Sequence, residues 1–148
     1  MHTTELVIFD CDGVLVDSEL LSAKVLMVQL AEIGIDLSFD DFREYFLGRK
    51  FAVAVAQLTT RTQKNLPENF QSLYFERLLK LFETDLLPMS GVHHVLKYMA
   101  VDFCVASSSI PARLDCALRV SGLRPYFGDR VYSAALVKNA KPAPDLFL

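Results

Sequence analysis

Four apolar residues, Leu6-Val7-Ile8-Phe9, run directly into Asp10-Cys11-Asp12-Gly13, and this junction constrains the fold more than any other stretch of the chain. An unbroken apolar run bounded by turn residues predicts a buried parallel strand, and Gly13 permits the turn that must follow it. Side chains at i and i+2 on a strand share a face, so Asp10 and Asp12 are expected to project together from its carboxyl end. Open α/β sheets gather their ligands at that end. Two carboxylates held close repel unless a cation, a shared proton or hydrogen-bond donors compensate them. The pair therefore asks for a metal or for divided roles as acid and nucleophile. Taken alone it also fits a solvated turn, because Asp and Gly are common turn residues. A calcium loop of EF-hand type fits less well, since Gly13 comes fourth rather than sixth and Val14 stands where a ligand is needed.

The remaining composition narrows the function. A chain of 148 residues suffices for one domain or two small lobes. Its net charge of −3 leaves no electrostatic footprint for nucleic acid or an anionic membrane. No apolar stretch approaches membrane-spanning length, and the amino terminus lacks the features of a secretory signal. Cys11, Cys104 and Cys116 show no paired metal spacing, and an odd, scattered set suits a reducing cytoplasm. His93-His94 falls in a predicted helix, where adjacent side chains diverge, which favours surface or half-buried histidines over a metal site.

After Gly13, Val14-Leu15-Val16 reads as a short extended flap and Asp17-Ser18 as a helix N-cap pair. A helix over residues 19–33 closed by Gly34 follows, and Ser38 with Asp41 forms a capping box for a second helix that Gly48 ends. Residues 50–62 read as a third helix. Pro67-Glu68 opens a fourth that carries Phe70, Leu73, Tyr74, Leu78, Leu81 and Phe82 at helical spacing. Helix 92–99, a strand over 101–106, helix 111–120, strand 131–133 and a barely started helix after Lys141-Pro142-Ala143-Pro144-Asp145 complete the chain. Strand, helical insertion, then alternating helix and strand predicts an α/β fold: a parallel-sheet core of residues 1–17 and 88–148, with a helical lobe of residues 18–87 inserted after strand one.

Asp10 with Asp12, Ser107 and Lys141 follow successive strands, so a parallel sheet would bring them to one edge. Two acids, a hydroxyl and a lysine suit phosphoryl transfer to a carboxylate. In that chemistry Asp10 is the nucleophile, Asp12 protonates the departing alkoxide and later activates water, and Ser107 and Lys141 meet the phosphoryl charge. A divalent cation such as Mg²⁺ would let an anionic nucleophile approach an anionic phosphate. Each element alone has an ordinary explanation: a polar loop for Ser107 to Ser109, an exposed turn lysine for Lys141, a helix cap for Asp145. Their combination in this order raises the chemical reading above those defaults.

Asp10-Cys11-Asp12-Gly13-Val14-Leu15-Val16-Asp17-Ser18 resembles the first motif of the haloacid dehalogenase-like hydrolases. Val105-Ala106-Ser107-Ser108 is similar to the second motif and Lys141-Pro142-Ala143-Pro144-Asp145 to the third. The resemblance spans the chain and points to the branch of small-metabolite phosphatases and β-phosphoglucomutase. It implies a Rossmann-like core with a helical cap, catalysis by Asp10 and Asp12, and a phosphate site of Ser107, Ser108 and Lys141. Mg²⁺ is implied on the Asp10 carboxylate and the Asp12 carbonyl. The dehalogenases themselves lack an acid at the position of Asp12.

Family members carry a fourth, acidic motif on a further strand that completes the metal site and lies beside strand one. The chain stops at Leu148, so the expectation is a C-terminally incomplete core in which Leu6 to Phe9 forms an exposed apolar edge open to association. The hydrophobic fraction of 52% agrees. Gly48-Arg49-Lys50 resembles the cap loop that selects substrate, and Arg49 and Lys50 could meet a second anionic group, or equally stand solvated at a helix start. The phosphomutase pattern places Arg where this chain has Phe51 and His where it has Ser22, which favours phosphatase over mutase. The expected function is Mg²⁺-dependent hydrolysis of a small phosphorylated metabolite such as a sugar phosphate. The alternatives are a sugar phosphomutase and a fragment that binds partners without turnover.

Overall fold

The computed structural model describes residues 4–47, 49 and 51–148. Three strands, β1 (Leu6–Phe9), β2 (Asp102–Ser107) and β3 (Val131–Ser133), form a parallel sheet in the order β1-β2-β3. The register sets Leu6 against Asp102 and Phe9 against Val105, then Val105 against Val131 and Ser107 against Ser133. Seven helices accompany them among the described residues: α1 (Glu19–Ala31), α2 (Phe39–Tyr45), α3 (Phe51–Thr62), α4 (Phe70–Asp85), α5 (Val92–Tyr98), α6 (Pro111–Val120) and α7 (Arg124–Phe127). Two compact units result. One joins the residues up to Ser18 to Leu81–Leu148 and contains the sheet; the other is the helical Glu19–Lys80.

In the core unit, β2 is buried from Phe103 onward, as the central strand of a parallel sheet must be. Phe9, Phe103 and Phe127 meet edge-on with ring centroids 5.4–6.3 Å apart, the favoured aromatic geometry. Leu6 and Ile8 of β1 are 50% and 44% exposed, so the strand is the exposed apolar edge that the resemblance implies, not the buried strand its apolar run alone predicts. The reason is its place in the sheet: among the described residues it pairs with β2 on one side only. Val14-Leu15-Val16 is not an extended flap. The Cys11 carbonyl accepts the N–H groups of Val14, Leu15 and Val16, which winds the segment into a tight turn with Leu15 and Val16 fully buried. Gly13 supplies the φ of 73° that this turn requires. The chain comes back beside it after the helical excursion, where Asp17 N–H donates to Leu87 and Met89 N–H donates to Leu15.

In the helical unit, α1 buries Ser22, Ala23, Val25, Leu26, Gln29 and Leu30, one stripe at helical spacing. It ends at Ala31, short of the expected 33, because a looser turn stabilised by Ile35 N–H to Leu30 precedes Gly34, whose φ is 72°. Ser38 and Asp41 form the expected capping box at the start of α2. Gly48, expected to end that helix, and Lys50, expected to open the next, lie outside the described residues. α4 starts at Phe70 rather than at Pro67: Phe70 N–H reaches only back to the Pro67 carbonyl, so residues 67–69 make a turn. Its Phe70, Tyr74, Leu78 and Phe82 are buried at four-residue intervals. The start after Lys141 remains a 3₁₀ turn over Pro144–Phe147.

Candidate active site

The carboxyl ends of the three strands carry most of the polar residues singled out by sequence. Asp10 follows β1 directly. Its Oδ1 accepts the Cys11 N–H at 2.9 Å and the Lys141 ammonium at 3.2 Å, and its side chain is 47% exposed. Lys141 also donates to the Ala106 carbonyl at 2.8 Å, so one ammonium fastens the end of β2 to the first aspartate.

Asp12 is held otherwise. Its Oδ1 accepts the Ser18 hydroxyl at 2.7 Å and Arg113 Nη2 at 2.8 Å, and its Oδ2 accepts the Ser109 hydroxyl. Burial would raise this carboxyl, but the Arg113 charge and the hydrogen bonds from Ser109, Ser18 and Arg113 outweigh it and hold Asp12 below the usual carboxylate range. β1 stops at Phe9, so both acids lie just beyond the strand, Asp12 within the turn that begins at Cys11. Each acid has its own cation. The repulsion inferred from the sequence is thereby compensated by Lys141 and Arg113.

Ser107 is fully buried at the end of β2, and its Oγ accepts the Ser109 N–H at 3.0 Å; Ser108 is exposed. Ser133, at the end of β3, donates to the Ser109 carbonyl at 2.7 Å and steadies the same loop. Cys11 is fully buried, and desolvation with the charges of Asp12 and Asp10 drives its thiol far above the ordinary range, which leaves it neutral and inert. In the helical unit, Arg49 donates to Gln57 at 3.0 Å, while Lys50 lies outside the described residues. Sequence reasoning missed Ser109 and Arg113 as partners of Asp12, and took Ser18 only for a helix cap. The available signal was Arg113 four residues after the serine triplet, in the first turn of a helix.

Oxygen donors suit Mg²⁺, and the half-exposed Asp10 carboxylate is accessible to it. Both Asp12 carboxylate oxygens already have donors. No group of three or more His, Cys, Asp and Glu side chains could hold a metal among the described residues. The Asp10 carboxylate fits Mg²⁺ as part of its shell.

The core is thus a parallel α/β fold with an acid pair, a serine and a lysine gathered near its strand ends. A sequence model described as haloacid dehalogenase-like hydrolase matches residues 4–148, and the chain belongs to this family. The 6-phosphogluconate phosphatase of Escherichia coli is 26% identical over 99% of this chain and 66% of its own length. A haloacid dehalogenase-like protein of unknown function from Agrobacterium tumefaciens is 34% identical, with a TM-score of 0.85 over 98% of this chain and 66% of its own. A family hydrolase from Deinococcus radiodurans, solved with bound phosphate and sodium, is 31% identical, with a TM-score of 0.75 over 97% of this chain and 63% of its own. The chain thus spans just under two thirds of the length of these relatives. No helix among the described residues is long and apolar enough to cross a membrane.

Proposed function

We propose that the chain carries the catalytic residues of a phosphatase acting on a small phosphorylated metabolite, a sugar phosphate among the candidates. The observation that carries this reading is the unequal treatment of the two aspartates. Asp10 is half-exposed beside an ammonium, as a nucleophile should be, whereas Asp12 is sheltered among donors. The phosphatase relative and the phosphate-bound neighbour support it.

In this reading Asp10 attacks phosphorus, the bond to the metabolite oxygen breaks, and the departing alkoxide takes its proton from Asp12. Water then attacks the aspartyl phosphate, Asp12 removes a proton from it, and Asp10 is released with inorganic phosphate. Lys141 balances charge on the phosphoryl oxygens. Ser107 retains a hydroxyl proton to donate after accepting from Ser109, and Ser108 stands exposed beside it. Mg²⁺, when bound at Asp10 and the Asp12 carbonyl, supplies a positive charge that reduces repulsion between nucleophile and phosphate. The segment 18–87 acts as the cap, with Arg49 and Lys50 as contacts for a second anionic group. Phe51 and Ser22 stand where the mutase pattern has Arg and His, so hydrolysis is preferred to isomerisation.

The test is phosphate release from a panel of phosphorylated metabolites with Mg²⁺. The chain is expected to hydrolyse at least one, and Asp10→Asn to lose more than about 10³-fold in kcat. Equal turnover by Asp10→Asn removes the nucleophile assignment. Conversion of a β-glucose 1-phosphate to its 6-phosphate without phosphate release replaces hydrolysis by isomerisation.

A further inference from the structure

Arg113 occupies a position that local physics opposes. It lies in the first turn of α6, where the helix dipole disfavours a cation, and its side chain is only 16% exposed. Burying a guanidinium is unfavourable unless a partner compensates it. Here Nη2 donates to Asp12 Oδ1 at 2.8 Å, and the guanidinium carbon stands 5.6 Å from the centre of the Phe82 ring, within cation–π range. The contact with Asp12 is one interaction that favours the placement.

The two oxygens of Asp12 are held by different kinds of donor. Oδ1 takes Arg113 and the Ser18 hydroxyl; Oδ2 takes the Ser109 hydroxyl. A guanidinium is planar and only donates, whereas a serine hydroxyl rotates and can donate or accept. Oδ1 is therefore anchored, and the partner of Oδ2 can turn away without leaving a charge unpaired.

We propose that Arg113 is a positioning residue that anchors Asp12 through Oδ1 and leaves Oδ2 as the oxygen that works on the substrate. The inference rests on the phosphatase reading above. That reaction requires Oδ2 to carry a proton once substrate is bound, which the Ser109 hydroxyl accommodates by turning to accept from it; the proton passes to the alkoxide as the P–O bond breaks, and Oδ2 regains one from the attacking water. Arg113 neither gains nor loses a proton.

The test compares the natural chain with Arg113→Met and Arg113→Lys on one phosphomonoester that the natural chain hydrolyses. Arg113→Met is expected to lower kcat about 10- to 100-fold, the usual effect of a misplaced reacting group, with KM changed less than about threefold. Arg113→Lys is expected to recover part of the loss, because an ammonium can still donate to Oδ1. An unchanged kcat in Arg113→Met overturns the proposal. A raised KM at constant kcat also overturns it, as does a loss that Arg113→Lys does not lessen. The carboxyl carbon-13 resonance of Asp12 at fixed neutral pH is a second readout, independent of turnover. It should move in folded Arg113→Met and move less in Arg113→Lys; an unmoved resonance overturns the anchor. If the natural chain hydrolyses no member of the panel while the resonance moves as expected, the phosphatase reading fails and the anchor is upheld.

Discussion

The strand ends of the core unit and the helices of the second unit are held by contacts of different reach. At the strand ends Lys141 meets Asp10, Arg113 and Ser109 meet Asp12, and Ser133 meets Ser109, each pair distant in sequence except the last. In the helical unit the polar contacts include near neighbours: Ser38 with Asp41 across one turn, Lys80 with Glu76 at i,i+4 spacing, and Arg49 with Gln57. A few polar contacts of intermediate reach, Gln29 to the Phe70 carbonyl, Arg77 to Glu32 and Lys64 to the Gly34 carbonyl, join an aromatic row in which Phe39, Phe42 and Phe46 stack in succession and Phe51 meets Tyr74 and Phe75. Polar groups that depend on distant partners constrain geometry closely, which suits chemistry. Local caps and apolar stripes tolerate change more readily.

That contrast can be broken experimentally. The largest effect is expected for Phe127→Ala, which empties a fully buried ring position between Phe9 and Phe103 and should cost about 3–5 kcal/mol in denaturant unfolding. A cost near zero would mean that the aromatic cluster does not hold the sheet. Ser109→Ala should come next, at about 1.5–3 kcal/mol, because it removes a donor to a charged, sheltered acceptor. The sign follows from linkage: Ser109 lowers the Asp12 pKa, so its contribution is present above the unfolded carboxylate range and is lost as pH falls through the folded value. Unfolding measured across the acidic range should show the difference between Ser109→Ala and the natural chain shrinking as the solution is acidified.

A smaller effect, about 1 kcal/mol, is expected for Ser38→Ala at the N-cap of α2. Hydrogen bonds from Ser38, then the Arg61 guanidinium, hold the Asp41 carboxyl down to about 2. Carbon-13 titration should find Asp41 closer to the ordinary value of about 4 in this variant. Asp41's contribution is present above its unfolded pKa and is lost as pH falls towards 2, so the stability difference should fade over that window. Smallest of all, Glu76→Gln should leave the unfolding midpoint unmoved at any salt concentration, since exposed i,i+4 pairs add little. A clear shift there would show that the helical unit relies on charge more than its aromatic row implies.

The same difference in reach explains what the sequence revealed. Helix α6 and strand β3 fall where periodicity and turn residues place them, and the capping box at Ser38 is written within four residues. The strand-end acids were legible as residues but not as a geometry. Alternation along β1 predicted one shared face, but the turn that begins at Cys11 and the separate cation held by each acid could not be read from it. Arg113 was hard to read as a partner because its carboxylate lies about a hundred positions away, and a cation in the first turn of a helix was its one local mark. The exposure of Leu6 and Ile8 was legible only through the family resemblance, which implies a further strand beside β1; their apolar character alone predicts burial.

The parallel pairing of Leu6 with Asp102 brackets the entire helical excursion, and the main-chain bonds joining Leu15 to Met89 and Asp17 to Leu87 pinch its two ends together. Loop-closure entropy grows only logarithmically with length, about 0.6 kcal/mol for each doubling. Once that pinch exists, lengthening or shortening what lies between Asp17 and Leu87 changes the entropic cost of closing the sheet very little. The core can therefore keep its strand ends fixed while the inserted lobe is exchanged for another of different size. A change of length is thermodynamically cheapest within the lobe and most expensive at the pinch.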